Sequence, residues 1–190
     1  MSENENATVL PENIKRCFQS SKYLHLATCY KDQPHVALMN FTYVPSGEGK
    51  PFENDDVIIL TMDENSKKYS NIMNNPQVSV LVHDWSAHRR PFEQQDVSSL
   101  CALLYDLNQQ EISHTSVTLN GLAVILPEGS KEEEFFREKH LQSNSESNTK
   151  QYVVPRNYRV VKIHLKSARV CDQRVKGVEK WSANGTVTPY

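Results

Sequence analysis

Three consecutive side chains carry the strongest chemical hint in this sequence. Ser66-Lys67-Lys68 puts a hydroxyl and two ammonium groups where the pattern starts a short helix. The N-terminal end of a helix carries about half a unit of positive charge, so lysines there are disfavoured unless an anion offsets them. Backbone N–H groups, a hydroxyl and two cations together suit a phosphate. The alternative is a solvated lysine pair on a surface helix, and both readings stay open at this point.

The elements that must hold those residues flank them. Val57–Thr61 reads as an apolar strand ending in Thr61, and a polar bend follows it. Asn75-Pro76 stops the helix, Val78–Val82 forms the next strand, and Trp85 closes it. Upstream, Pro11 suits the first turn of a helix with Ile14, Cys17 and Phe18 on one face. Tyr23–Cys29 reads as a strand with Leu24, Leu26 and Thr28 on one side. Lys31-Asp32-Gln33-Pro34 makes a turn. His35–Val44 reads as one strand with apolar residues on both faces, which predicts cover on both sides, as in a barrel or at a dimer interface. Pro45–Asp56 is a loop. Downstream, 88–95 reads as irregular and Val97–Leu107 as a helix with an apolar stripe. Ser116–Leu126 is a strand with Gly121 inside it, the mark of a bulge or a close backbone approach. Ser130 opens a helix to about His140, Ser130 with Glu133 matches a capping box, and Phe135 and Phe136 anchor it. Leu141–Lys150 reads as a polar loop, Tyr158–Val170 as a final long strand, and 171–190 as a mostly polar tail containing Trp181. About six strands with few helices between them argue for a mainly β, antiparallel, closed architecture. Residues 1–10 read as a flexible N-terminus, 11–170 as the barrel domain and 171–190 as a tail.

Composition removes several function classes. With 190 residues and a net charge of −2, the chain has no bulk electrostatic case for nucleic acid or an anionic membrane surface. No apolar run nears the ~20 residues that span a bilayer. The first ten residues lack the basic start and apolar block of a secretory signal. Cys17, Cys29, Cys101 and Cys171 are scattered, as befits reduced thiols, so the expected compartment is the cytoplasm, with the nucleus left open. Seven histidines show no metal-ligand spacing, and no metal is expected. No GxGxxG follows a strand and no GxxxxGK[ST] or GxSxG occurs.

In order and spacing, the stretch from Tyr23 to Leu126 resembles the flavin-dependent pyridoxamine 5′-phosphate oxidase family. Thr61, Ser66-Lys67-Lys68, Asn75-Pro76 and Trp85 stand where that family has a strand-ending Thr, a helix-opening trio, an Asn-Pro and a closing Trp. His35–Asn40 stands where its flavin-flanking strand lies, and Gly121 fits its glycine-containing strand. The resemblance implies a split β-barrel homodimer with FMN in clefts between the subunits. By position, Ser66, Lys67 and Lys68 would hold the FMN phosphate. Thr61 would touch the ribityl chain or phosphate. Met39, Asn40 and Phe41 would border the isoalloxazine, with Ser116 a further polar contact. Trp181 would either cover the partner's flavin or pack on its own barrel.

The sequence also departs from the family pattern. His35 and Asn40 replace an Arg and a Lys. The helix after the glycine strand reads KEEEFFREKH, with only Arg137 in place of a substrate-phosphate grip, and the C-terminal Arg-x-His is missing. The cofactor-phosphate half of the site is kept and the substrate half lost. Two readings follow: an FMN-dependent oxidoreductase of unidentified substrate, or a non-catalytic binder of pyridoxal 5′-phosphate or FMN. No residue is nominated as catalytic, since a flavin carries its own hydride chemistry. A haem-handling relative would need an axial ligand, for which His83, His88 and His164 are the candidates.

Overall fold

A computed structural model describes residues 10–83, 115–144, 157–172, 178–183 and 188–189. The expectations on Trp85, His88, the stretch 88–95, the helix Val97–Leu107, and 145–150 lie outside these residues. So does the expected flexible segment, save Leu10.

The chain starts with α1 (Glu12–Ser20), whose buried face is Ile14, Cys17 and Phe18. Two strands follow, β1 (Tyr23–Tyr30) and β2 (Gln33–Asn40), paired antiparallel from Tyr23↔Asn40 to Tyr30↔Gln33. The turn between them is tighter than expected. Only Lys31 and Asp32 form it, at φ 51° and 59°, as a two-residue turn matching the strand twist requires. Gln33 and Pro34 already pair, and Pro34 is tolerated because β2 is an edge strand.

The single strand expected over His35–Val44 is broken. Phe41 leaves β2 and turns into the core, and β3 (Thr42–Val44) pairs with β4 (Val57–Asp63) instead. Then come α2 (Lys67–Asn74), β5 (Gln77–His83), β6 (Thr115–Ile125), α3 (Lys131–Ser143), β7 (Tyr158–Asp172), β8 (Val178–Ser182) and β9 (Thr188–Pro189). The strand order is β2-β1-β5-β6-β7-β4-β3, with β8 on β7 and β9 on β8. All pairings are antiparallel. The fold is a split β-barrel with helices on its rim.

β7 is the hinge of this topology. Along one side it pairs with β6. Along the other its first half pairs with β4 and its second half with β8. A register shift at Asn120/Gly121 leaves Lys166 bulged between Leu165 and Ser167. The inward set therefore changes from Val161 and Ile163 to Ala168 and Val170. Gly121 is where the β7 backbone comes close: a Cβ there would lie 2.5 Å from the His164 carbonyl oxygen.

Two cores result. The larger fills the barrel between α1 and the sheet, with Phe18, Leu24, Leu26, Ile58, Leu60, Val80, Leu119 and Ile163. The smaller, with Val44, Val57, Ile59, Phe136 and Val160, lies between α3 and the outer face of β3, β4 and β7. β4 is buried on both faces because it separates them. α3 opens on Ser130, whose Oγ accepts the Glu133 N–H at 3.1 Å. It continues three residues past His140, because Leu141–Ser143 stay helical where a loop was expected.

Among the described residues no helix is long and apolar enough to cross a membrane. Gly121→Ala should cost about 1–3 kcal/mol, the range for forcing atoms into a filled space. A lowered denaturant midpoint with an unchanged slope is the expected result.

Candidate functional site

The first turn of α2 has the arrangement its sequence predicts. Ser66 is the N-cap; its Oγ accepts the Tyr69 N–H at 3.4 Å and donates to the Asp63 carbonyl at 2.6 Å. The N–H groups of Lys67 and Lys68 lie in the first turn, where no carbonyl one turn back can accept them. Lys67 is exposed and Lys68 half-buried. No acidic residue stands in that turn. Asp63, just before it, receives the Asn65 N–H at 2.8 Å. That bond, then the Asn65 and Asn157 side chains, then the charge of Lys68 hold its carboxyl below the usual range.

Beside this turn lies a cavity of about 300 Å³, lined by Tyr23, Leu38, Met39, Asn40, Thr61, Met62, Asp63, Lys68, His140 and Tyr158. Four expected site residues meet there: Met39 and Asn40 from the end of β2, Thr61 from β4 and Lys68 from α2. Ser66 and Lys67 are its immediate neighbours in sequence, at the helix start. Phe41 points away, 5% exposed in the barrel core and edge-on to Phe18 at 6.0 Å; it does not line the cavity, and its carbonyl accepts the Asn144 side-chain N–H at 3.5 Å. Ser116 sits opposite Cys171, at the far end of β7 from Tyr158, and does not line the cavity.

Trp181 lies away from the cavity, on β8. It pairs with Ala168, is 7% exposed and packs in its own barrel core. This is the reading in which it packs on its own barrel.

Six lining residues were missed: Tyr23, Leu38, Met62, Asp63, His140 and Tyr158. His140 carried a legible signal, since Glu133, Phe136 and His140 follow the three-and-four spacing of one helix face. That face is buried, and a histidine on it needs a polar partner. Its Nδ1 lies 2.9 Å from Thr42 Oγ1 and 3.4 Å from Asn144 Nδ2. Burial, then the charge of Arg137, lowers its pKa to about 4.

Arg137, the one basic residue expected to replace the substrate-phosphate grip, is already engaged. Its Nε donates to Glu133 Oε1 at 2.7 Å and one terminal nitrogen to the Tyr158 carbonyl at 2.7 Å. Lys162, 6% exposed on β7, is held by Glu132 at 2.7 Å and Glu53 at 2.9 Å. The haem candidate His164 sits 3.5 Å from Glu53. Among the described residues no group of three His, Cys, Asp or Glu is placed to hold a metal.

Comparison with known proteins decides the family. The model of the pyridoxamine 5′-phosphate oxidase family matches residues 10–172. The chain belongs to the pyridoxamine 5′-phosphate oxidase family. A Schizosaccharomyces pombe protein named as a pyridoxamine 5′-phosphate oxidase homologue is 57% identical over 189 residues, covering 100% of this chain and 99% of its own. A Saccharomyces cerevisiae protein of the same description is 33% identical, covering 86% and 90%. Among solved structures, the haem storage protein HutZ from Vibrio cholerae has the same fold at a TM-score of 0.54 and 16% identity, covering 83% of this chain and 91% of that one.

Within this family member, His140 gives a pH signature. Its folded pKa of about 4 lies below the ordinary 6.5, so between those values the unfolded chain binds the extra proton. Its stabilising contribution is complete above about pH 6.5 and is lost as pH falls towards 4. Urea titrations should show wild type losing about 2–4 kcal/mol more than His140→Asn between pH 7 and pH 4. Parallel losses in both would contradict the buried neutral imidazole.

Proposed function

We propose that this chain binds a phosphorylated planar cofactor, FMN, beside α2 at the junction of two copies, and serves as a flavin-dependent oxidoreductase. One observation carries this reading. A single cavity gathers Met39, Asn40, Thr61 and Lys68 from three separate stretches, the positions that the family resemblance gives to the flavin.

The donor set fits such a ligand. Lys67, Lys68 and the two first-turn N–H groups suit the phosphate. Thr61 and Asn40 offer polar groups along the cavity, and Met39, Tyr23 and Tyr158 offer apolar and aromatic surface for a flat ring system. Bound FMN supplies the hydride chemistry; the chain binds it, orients it and excludes water. No side chain need act as a nucleophile.

The homodimer is supported by the outer face of β1 and β2. Val36 and Leu38 are each 60% exposed and Tyr23 49%. Their edge strand is covered on one face only within this chain, short of the two-sided cover expected. Leu38 and Tyr23 belong both to this apolar face and to the cavity wall, so a second copy seated there would close the cavity.

A second reading, a non-catalytic binder of pyridoxal 5′-phosphate, is favoured by Arg137. Its pairing with Glu133 and Tyr158 removes the cation that a substrate phosphate would use. HutZ is named as a haem storage protein; in this chain the candidate His164 is turned to Glu53.

Lys67→Ala combined with Lys68→Ala should weaken FMN binding at least about a hundredfold, from two lost charge-assisted bonds, with the thermal midpoint nearly unchanged. Flavin fluorescence titration and circular dichroism read the two quantities; full affinity in the double variant would remove the site. Competing pyridoxal 5′-phosphate against FMN separates the two readings. Light scattering should give twice the chain mass, and Leu38→Asp should shift it towards the monomer.

A further inference from the structure

The cavity beside α2 contains a donor whose orientation the surrounding hydrogen bonds determine. Asn144 Nδ2 donates to the His140 carbonyl at 3.0 Å, and a carbonyl can only accept, so the amide nitrogen is the atom on that side. The same nitrogen lies 3.2 Å from Thr42 Oγ1 and 3.4 Å from His140 Nδ1. A proton on Nδ1 would face those amide hydrogens. It would also leave the buried Thr42 hydroxyl hydrogen without an acceptor among the described residues. With Nδ1 as acceptor, the Thr42 hydroxyl donates to it at 2.9 Å and both conflicts vanish. The proton of this neutral ring therefore sits on Nε2.

Nε2 has no hydrogen-bond partner among the described residues. The ring is one of the groups lining the cavity, in a residue 1% exposed overall, so the cavity is the space from which a ligand can reach it.

We infer that His140 is a specificity-determining residue: its Nε2–H, held in place by Thr42 and Asn144, donates to a neutral acceptor on the ring end of the ligand. This rests on the FMN-binding reading above and adds which end of the ligand goes where. The ligand class is a phosphate monoester of a planar heterocycle bearing a ring carbonyl or an unprotonated ring nitrogen. Charge separates the two ends: Lys68 serves the anion, and His140 offers a donor with no net charge. A second phosphate in place of the ring acceptor would meet an Arg137 already bound to Glu133 and Tyr158.

Two substitutions divide the ring's two jobs. In His140→Asn the shorter amide can still accept from Thr42 but cannot reach the place of Nε2. In His140→Gln the longer amide can present an N–H there. In the full-length protein, FMN affinity should fall about tenfold in His140→Asn, the worth of one neutral hydrogen bond to a buried site. It should recover most of that in His140→Gln. Inorganic phosphate, probed as a competitor of FMN, should bind both variants like wild type.

Nitrogen-15 NMR of the wild-type ligand-free protein at pH 7 gives a test that needs no variant to fold. It should show the His140 ring neutral and protonated on Nε2, with the Nε2–H resonance moving when FMN is added. A ring protonated on Nδ1, or on both nitrogens, overturns the inference whether or not FMN binds. So does equal FMN affinity in wild type and His140→Asn. Absence of FMN binding to wild type, with the Nε2 tautomer observed, removes the FMN reading instead. The same titration with pyridoxal 5′-phosphate then decides: a shift of Nε2–H upholds the donor role, and a still resonance ends it.

Discussion

β4 has no water-facing side until Asp63. Its alternate residues serve two cores, Ile58, Leu60 and Met62 inside the barrel and Val57 and Ile59 under α3. A strand gripped on both faces cannot slide by one residue, because a slip would exchange the two sets. Its end is therefore a stable point in the molecule. Thr61 stands there, α2 begins a few residues later, and the Tyr158 end of β7 is paired alongside through Asp63↔Tyr158. The cavity's position follows from the burial of this strand.

Charge is distributed unevenly around that point. Cations on the α2 side keep their freedom of placement, with Lys67 exposed at a helix start that disfavours it. On the α3 side two cations are already committed: Arg137 to Glu133 and the Tyr158 carbonyl, Lys162 to Glu53 and Glu132. Burial works against a charge on Lys162, but its bonds to the two carboxylates outweigh that and raise its pKa. A charged pair enclosed in this way does structural work and leaves nothing over for a ligand. The site has one electropositive end and one neutral end.

Much of this arrangement could be read from the chain. The strand–cap–helix–Asn-Pro–strand run from Val57 to Val82 is local, and each piece carries its own signal: apolar run, Ser cap, Pro stop. Gly121 was legible because a glycine inside a strand needs a neighbour to justify it, and the His164 carbonyl is that neighbour. The break at Phe41 was not legible, because alternation continues through it; which partner strand each half joins is a tertiary fact. The role of His140 was hidden for the same reason, since Thr42 lies 98 residues away in sequence. Trp181 was ambiguous until the bulge at Lys166 placed Ala168 opposite it.

The hairpin of β1 and β2 has a consequence for the life of the chain before it meets a partner. Among the described residues β2 ends the sheet with no strand paired to its outer edge, and Val36 and Leu38 project beside it. Such an edge can template the addition of any passing strand, the first step of non-native aggregation. Pro34, lacking an N–H, and the charged tip at Lys31 and Asp32 act as gatekeepers at one end, while the Leu38–Asn40 end has none. Newly made copies of this protein are therefore most exposed to misassembly at the end of β2 that borders the cavity.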